Sequence, residues 1–200
     1  MELQDAIRRR HMVRAYDPDR PVPRDEVNVL LDLAIRAPSA GFTQGWRFLV
    51  LDTPAARDAF WSATTVPGDM PDSWLAGLAT APVLIVIFSD KDAYLDRYAE
   101  PDKGWADRDE HRWPIPYWHV DAGMAALLVL LGAVDRGLAA CFFGVPAGRS
   151  ESLAVAFAVP SGMAPVGVVS LGYGVPDRRS PSLRRGRRTV PEVTAYGSFG

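Results

Sequence analysis

Two short stretches near the start of the chain hold residues whose types and spacing suit chemistry. The first is Arg10-His11-Met12-Val13-Arg14-Ala15-Tyr16. Arg10 and Arg14 stand four apart at the end of an expected helix. Both can converge on one anion through charge-assisted hydrogen bonds. A solvated basic helix end, complementing the C-terminal dipole, would use the same residues. The second stretch is Ala37-Pro38-Ser39-Ala40-Gly41-Phe42-Thr43-Gln44-Gly45-Trp46. The short run of Pro38, Ser39, Ala40 and Gly41 lets backbone N–H and C=O groups approach a ligand closely.

Gln44 both donates and accepts hydrogen bonds, which matches the alternating edge of a flavin pyrimidine ring. A plain helix-to-strand turn with a satisfied glutamine has the same sequence. A third stretch, Gly137-Leu138-Ala139-Ala140-Cys141-Phe142-Phe143-Gly144, follows the longest expected helix. Its Cys141, Phe142, Phe143 and Gly144 can offer main-chain contacts to a ring, or form a buried strand and turn. Cys141 reads as a small buried hydrophobe, because no cationic helix N-terminus stands beside it. At the far end Arg178, Arg179, Arg184, Arg185, Arg187 and Arg188 form a second basic cluster. Arginine in place of lysine suits planar, bidentate recognition of phosphate or carboxylate.

Much chemistry is excluded. His11, His111 and His119 lack metal-ligand spacing, and no CxxC or HxxxH is present. There is no GxSxG, phosphate loop or GxGxxG. The formal net charge of −2 implies no bulk attraction to nucleic acid or membrane. A single cysteine allows no internal disulfide, and no signal-peptide pattern is seen, so a cytoplasmic setting is expected. The apolar run Ala122–Val134 is too short to span a bilayer and reads as a buried helix.

The elements that position these stretches follow from periodicity and punctuation. Helices are expected over Glu2–Arg10, Arg24–Arg36, from Thr53-Pro54 to about Trp61, over Ser73–Ala79, Tyr117–Arg136 and Ser150–Phe157. Strands are expected over Trp46–Leu51, Pro82–Ser89, Ala139–Phe143 and Val166–Tyr173. Pro82–Ser89 is apolar on both faces and reads as the buried central strand. Thr64–Asp72 reads as a loop. Asp90–Pro116 reads as an irregular charged and aromatic insert, and Gly174–Gly200 as an extended tail. The chain is read as one α+β domain of 200 residues. The tail carries Val190, Val193, Tyr196 and Phe199, so it is expected to lie against another surface, such as a second subunit.

The order of these pieces resembles the FMN-dependent nitroreductase family. That family shows Arg-Arg/His-Ser-x-Arg/Lys-x-Phe/Tyr near its start, matched by Arg10 to Tyr16. A Pro-Val-Pro segment is matched by Pro21-Val22-Pro23. The Ala-Pro-Ser/Thr-x-x-Asn-x-Gln-Pro/Gly-Trp segment is matched by Ala37 to Trp46. A long helix with an early Asp (Asp121), a Gly-Leu-Gly-type turn (Gly137-Leu138-Ala139) and a late Gly172-Tyr173 follow in order. Arg187 to Val193 approximates the closing Arg-x-Pro-x-x-x-Val pattern.

The resemblance implies a mixed sheet flanked by helices and an intertwined homodimer with FMN at the subunit interfaces. It implies NAD(P)H as electron donor and a small electron-poor acceptor such as a nitroaromatic or quinone. Arg10, His11, Met12 and Arg14 would hold the ribityl phosphate, closed over by Arg187 or Arg188. Pro38, Ser39, Ala40 and Gln44 would come mainly from the partner chain. Cys141, Phe142, Phe143 and Gly144 would face the isoalloxazine. No side chain is assigned as catalytic, since the flavin carries the redox chemistry. The aromatic insert, with Trp105, Trp113 and Trp118, would form either a lid over the flavin or a dimer contact.

Three departures stand out. Met12 replaces the usual serine, removing a phosphate hydrogen bond worth about 1.5–3 kcal/mol. Phe42 replaces the usual asparagine, and Gly45 a common proline. The Phe42 variant also resembles the flavin-fragmenting dimethylbenzimidazole synthases, and the missing polar groups leave room for a family member that binds flavin without turnover.

Overall fold

The run expected to be apolar on both faces is the centre of the sheet. In the computed structural model, which describes residues 1–66, 73–176 and 180–199, it forms β2 (Val83–Asp90). β1 (Trp46–Leu51) pairs with one edge of β2 and β4 (Met163–Gly172) with the other. β3 (Ala139–Phe143) pairs with β4, giving the order β1-β2-β4-β3. Residues 67–72 of the expected loop, and Arg178 and Arg179 of the basic tail, lie outside the described residues.

Alternation along β2 divides the core in two. Val83, Ile85 and Ile87 point to one face, where they pack with Leu30, Ala126 and Val129. That face is covered by α2 (Arg24–Ala34) and α6 (Tyr117–Asp135), with α1 (Leu3–Arg9) against α6. Leu84, Val86 and Phe88 point to the other face, with Phe60 and Leu153. Those two residues belong to α3 (Pro54–Thr64) and α7 (Ser150–Phe157). The Thr53 hydroxyl accepts from the Ala56 amide at 3.3 Å to cap α3, with Pro54 in its first turn as the sequence predicts. α4 (Ser73–Ala79) completes the elements expected from periodicity.

α6 is long and apolar enough to cross a membrane by length and composition. Here Ala122, Ala125, Ala126, Val129 and Ala133 on it are buried in the core.

Three expectations are corrected. The sheet is α+β as expected but not mixed: every hydrogen-bonded strand pair among the described residues is antiparallel. β2 and β3 do run in the same direction, but β4 inserts between them, so no parallel pair forms. The insert Asp90–Pro116 is not wholly irregular. Its first part is α5 (Lys91–Ala99), capped by the Asp90 carboxylate, which accepts from the Ala93 amide at 3.1 Å. Charges at Lys91, Asp92, Asp96 and Arg97 hide an inward face of Tyr94 and Leu95. The tail is likewise not fully extended: it has a 3-10 turn at Pro181–Arg185 and a short α8 (Val190–Val193).

Candidate functional site

The basic segment near the N-terminus is laid along the free edge of the sheet. The Val13 amide donates to the Ala140 carbonyl of β3 at 3.1 Å. Beyond it, Asp17 N–H donates to Tyr173 O (2.9 Å) and Val175 N–H to Ala15 O (3.1 Å). Tyr16, 1% exposed, pins this segment from below: its hydroxyl donates to Val13 O at 2.6 Å and lies 2.8 Å from Ser170 Oγ. The two ends of the chain are thereby brought side by side.

Between them lies a cleft of about 710 Å³, lined by Arg10, His11, Met12, Val13, Arg14, Val175, Pro176, Ser180, Ser182, Leu183 and Arg187. Among the described residues three arginines line it and no carboxylate does. Arg10 Nη1 is buried and has no hydrogen-bond partner among the described residues. A buried, unanswered guanidinium nitrogen is costly unless an anion meets it. His11 is oriented through Nδ1, which donates to Arg9 O at 2.8 Å. Arg188 does not line the cleft.

Met12 links this cleft to a second. Its sulfur accepts from the Phe142 amide at 3.4 Å. One residue further along β3, Phe143 and Gly144 line an aromatic cavity of about 300 Å³ with Phe60, Trp61 and Trp74. Trp61 stacks on Phe143 with centroids 5.8 Å apart, and Trp74 meets it edge-on. The run from Ala140 to Phe143 spans roughly 10 Å of strand. The basic cleft and the aromatic cavity are therefore about one small-molecule length apart. Cys141 is 2% exposed, its side chain in the core, and Phe142 points to the opposite face of the sheet from Phe143.

Pro38, Ser39, Ala40 and Gln44 do not line either cavity of their own chain. Their loop is held from outside. The Ala40 amide donates to Asp121 Oδ2 at 2.8 Å, and the Tyr94 hydroxyl donates to the same oxygen at 2.7 Å. Burial, then the hydrogen bond to Asp121 and its charge, push the Tyr94 phenol far above its ordinary pKa, so it stays a donor. Arg97 Nε donates to Gly41 O at 3.0 Å. A Cβ at Gly45 would lie 2.4 Å from the Tyr94 ring, and one at Gly41 2.8 Å from Tyr98. Tyr94, Arg97 and Tyr98 thus form one helical face on which the loop is seated.

A third cleft, about 730 Å³, includes Ser89, Lys91, Trp113, Trp118 and His119 in its lining. The Trp118 indole donates to His119 Nε2 at 3.2 Å. The pattern assigns the neutral proton to Nδ1, which donates to Ser89 Oγ at 2.9 Å. Ser89 then donates to Ala164 O at 3.4 Å. A hydroxyl that receives a proton from imidazole is not an activated nucleophile. Among the described residues no group of acidic, histidine or cysteine side chains could hold a metal ion.

A model of the nitroreductase family matches residues 7–173. The chain belongs to the nitroreductase family. An NADH dehydrogenase of Thermus thermophilus is 27% identical over 206 residues, covering 92% of this chain and 94% of that protein. A CLA biosynthesis enone reductase of Lactiplantibacillus plantarum is 42% identical over 62 residues, 31% of this chain and 29% of that protein. A Desulfovibrio desulfuricans protein solved in complex with FMN is 25% identical, with a TM-score of 0.71 over 100% of this chain and 99% of its own.

For this nitroreductase-family chain, the structure brings Arg10, His11, Met12, Arg14 and Arg187 together, and puts Phe143 and Gly144 at the neighbouring cavity. Sequence reading passed over Ser182 and Leu183 in the basic cleft, and Phe60, Trp61 and Trp74 in the aromatic one. Those aromatics sit on helices that read as ordinary core. Tyr94 and Arg97 were also missed as loop supports. Arg97 and Tyr98 stand three and four residues after Tyr94, and that spacing was the available signal.

Proposed function

We propose that the protein is an FMN-dependent oxidoreductase that passes reducing equivalents from NAD(P)H to a small, flat, electron-poor acceptor such as a nitroaromatic or a quinone. The observation that carries this reading is the basic cleft, where Arg10, Arg14 and Arg187 from opposite ends of the chain surround one space with a buried guanidinium nitrogen unmet. That donor set fits the phosphate of FMN. The solved FMN complex of a relative supports the choice of flavin.

When bound, FMN supplies two-electron hydride chemistry that no side chain here can perform. The residues of the chain bind, orient and exclude water. Arg10, Arg14 and Arg187 answer the phosphate's charge, with His11 at the rim. Met12 offers sulfur rather than a hydroxyl, and that sulfur already accepts from Phe142. Phe143 and Gly144 present an aromatic wall and an open backbone on the ring side. Pro38, Ser39, Ala40 and Gln44 would reach the ring of a second copy, so the active form is a homodimer. Phe42, 77% exposed, and the fully exposed Phe199 are unpartnered apolar surface that such an assembly would cover.

The test is the visible spectrum of the purified protein. Flavin bands that bleach under anaerobic NADH or NADPH, and return on adding a quinone, are expected. Protein that takes up no FMN at micromolar concentrations would overturn the reading. Aerobic loss of the flavin ring spectrum would favour the fragmenting chemistry instead.

A further inference from the structure

The loop over Ser39–Gly45 is strained. Gly41, Phe42 and Gln44 all have left-handed backbone, with φ of 63°, 56° and 54°. Glycine adopts this freely, but a bulky aromatic residue does not. Phe42 is also mostly exposed, so no burial of its ring offsets the strain. Such a conformation persists only where its surroundings over-determine it.

The loop's own bonds cannot do this. Phe42 N–H donates to Ser39 O, Thr43 N–H to Ala40 O, and Gln44 N–H to Ser39 Oγ. All close within the loop and none ties it to the scaffold. The Asp90 amide donates to Gly45 O at 2.8 Å and ties the loop's last residue to β2. The ties nearer the left-handed residues run through Asp121 on α6 and through the α5 face. Asp121 is 1% exposed and Tyr94 fully buried, so their bond forms in a dry, low-dielectric setting. One carboxylate oxygen there receives two donors, one from the loop and one from α5. The loop, α5 and the rigid core helix meet at that atom.

We propose that Asp121 is the positioning residue of this loop. Through Oδ2 it fixes Ala40, and with it the left-handed residues that follow, in the shape that receives a flavin ring. The proposal rests on the flavin reading above for what the loop receives, but not for how the loop is held. Asp121 touches neither cleft, so its effect passes through Ala40 and Tyr94.

The experiment compares Tyr94→Phe, Asp121→Asn and the double variant with the unaltered chain. Tyr94→Phe keeps the ring against Gly45 and removes only the hydroxyl, with its donation to Asp121 and its bond to the Gly45 amide, so it serves even if Asp121→Asn folds poorly. Three quantities are read: amide hydrogen exchange at 40–44 in flavin-free protein, and the Kd for FMN and for riboflavin. Each single variant is expected to speed exchange at Ala40 and to weaken both flavins about tenfold. The equal loss for riboflavin marks a ring defect, since riboflavin has no phosphate. The double variant should lose much less than the product of the singles, because both act on one oxygen. Unchanged exchange at 40–44, or a loss confined to FMN, or independent additive effects, would overturn the proposal. If the unaltered chain binds neither flavin, the functional reading falls, and the exchange data still decide whether Asp121 holds the loop.

Discussion

The Val13 amide and the Ala140 carbonyl, 3.1 Å apart, fasten the N-terminal basic segment to the exposed edge of β3. That bond puts Arg10 and Arg14 on one side of the strand end while Phe143 and Gly144 line a cavity beyond it. A ligand with an anionic tail and a flat head matches this division of charge and aromatic surface.

The arginines should therefore read the tail alone. Arg10→Ala and Arg14→Ala are each expected to weaken FMN by about ten- to a hundredfold, the value of one charge-assisted hydrogen bond of about 1.5–3 kcal/mol. Riboflavin affinity should be nearly unchanged. Arg187→Ala should behave like them and Arg188→Ala should not, because only Arg187 lines the cleft. Flavin fluorescence titration checks all four. Equal losses for Arg187→Ala and Arg188→Ala would show a diffuse electrostatic effect instead of a clamp.

Gly45 should tolerate no side chain. A Cβ there would lie 2.4 Å from the buried Tyr94 ring and 3.1 Å from the Asp90 carbonyl. Neither neighbour is a flexible side-chain end. Overpacking of this kind costs about 1–3 kcal/mol. For a chain of this length that corresponds to a fall in Tm of roughly 2–4 °C per kcal/mol. Thermal melts of Gly45→Ala followed by circular dichroism give the answer, and an unchanged Tm would mean that α5 yields easily.

The fold was legible where residue type and spacing act locally. β2 announced itself by apolar residues on both faces, and α3 by Thr53 and Pro54 at its start. α5 was hidden because its charged residues outnumber its buried ones within one short helix. The antiparallel order was hidden because insertion of β4 between β2 and β3 is a long-range event that no local pattern carries. For the site, the two arginine clusters were visible as residues, and their meeting was inferred from the family resemblance. Asp121 was noticed only as an early acid in a long helix. Its shared oxygen depends on α5 and on the loop, which are distant in sequence and adjacent only once folded.

His119 should make stability fall on acidification. Loss of hydration lowers its pKa below the ordinary 6.5, and its Nε2 accepts from Trp118. Protonation there would set two donors against each other. Between pH 6.5 and the lower folded value the unfolded chain binds more protons, so stability drops as pH falls through that window. His119 keeps solvent access, so the effect is small. His111 acts oppositely: its hydrogen bond to Asp109 and that residue's charge raise its pKa, giving a contribution present in acid and lost as pH rises through the folded value. Comparing Tm at pH 5.5 and 7.5 for the unaltered chain and for His119→Gln isolates the first effect. The unaltered chain should lose more on acidification than the variant, and an equal loss would remove His119 from the account.

The tail should be an assembly element. α8 is already capped, with the Thr189 amide donating to Glu192 Oε2 at 2.6 Å, yet Val190, Val193, Tyr196 and Phe199 beside it are all exposed. An ordered turn presenting four apolar side chains has a partner surface as its natural complement. A single large aromatic buries about 150–250 Å² when covered, so Tyr196 and Phe199 can anchor a dimer. Sedimentation of the unaltered chain at micromolar concentration is expected to give a dimer. Tyr196→Ser with Phe199→Ser should shift it toward monomer and lower FMN affinity in parallel, because the ring-side loop would come from the second copy. A monomeric unaltered chain that still binds FMN tightly would show that one copy completes the site, and the dimer reading would fall.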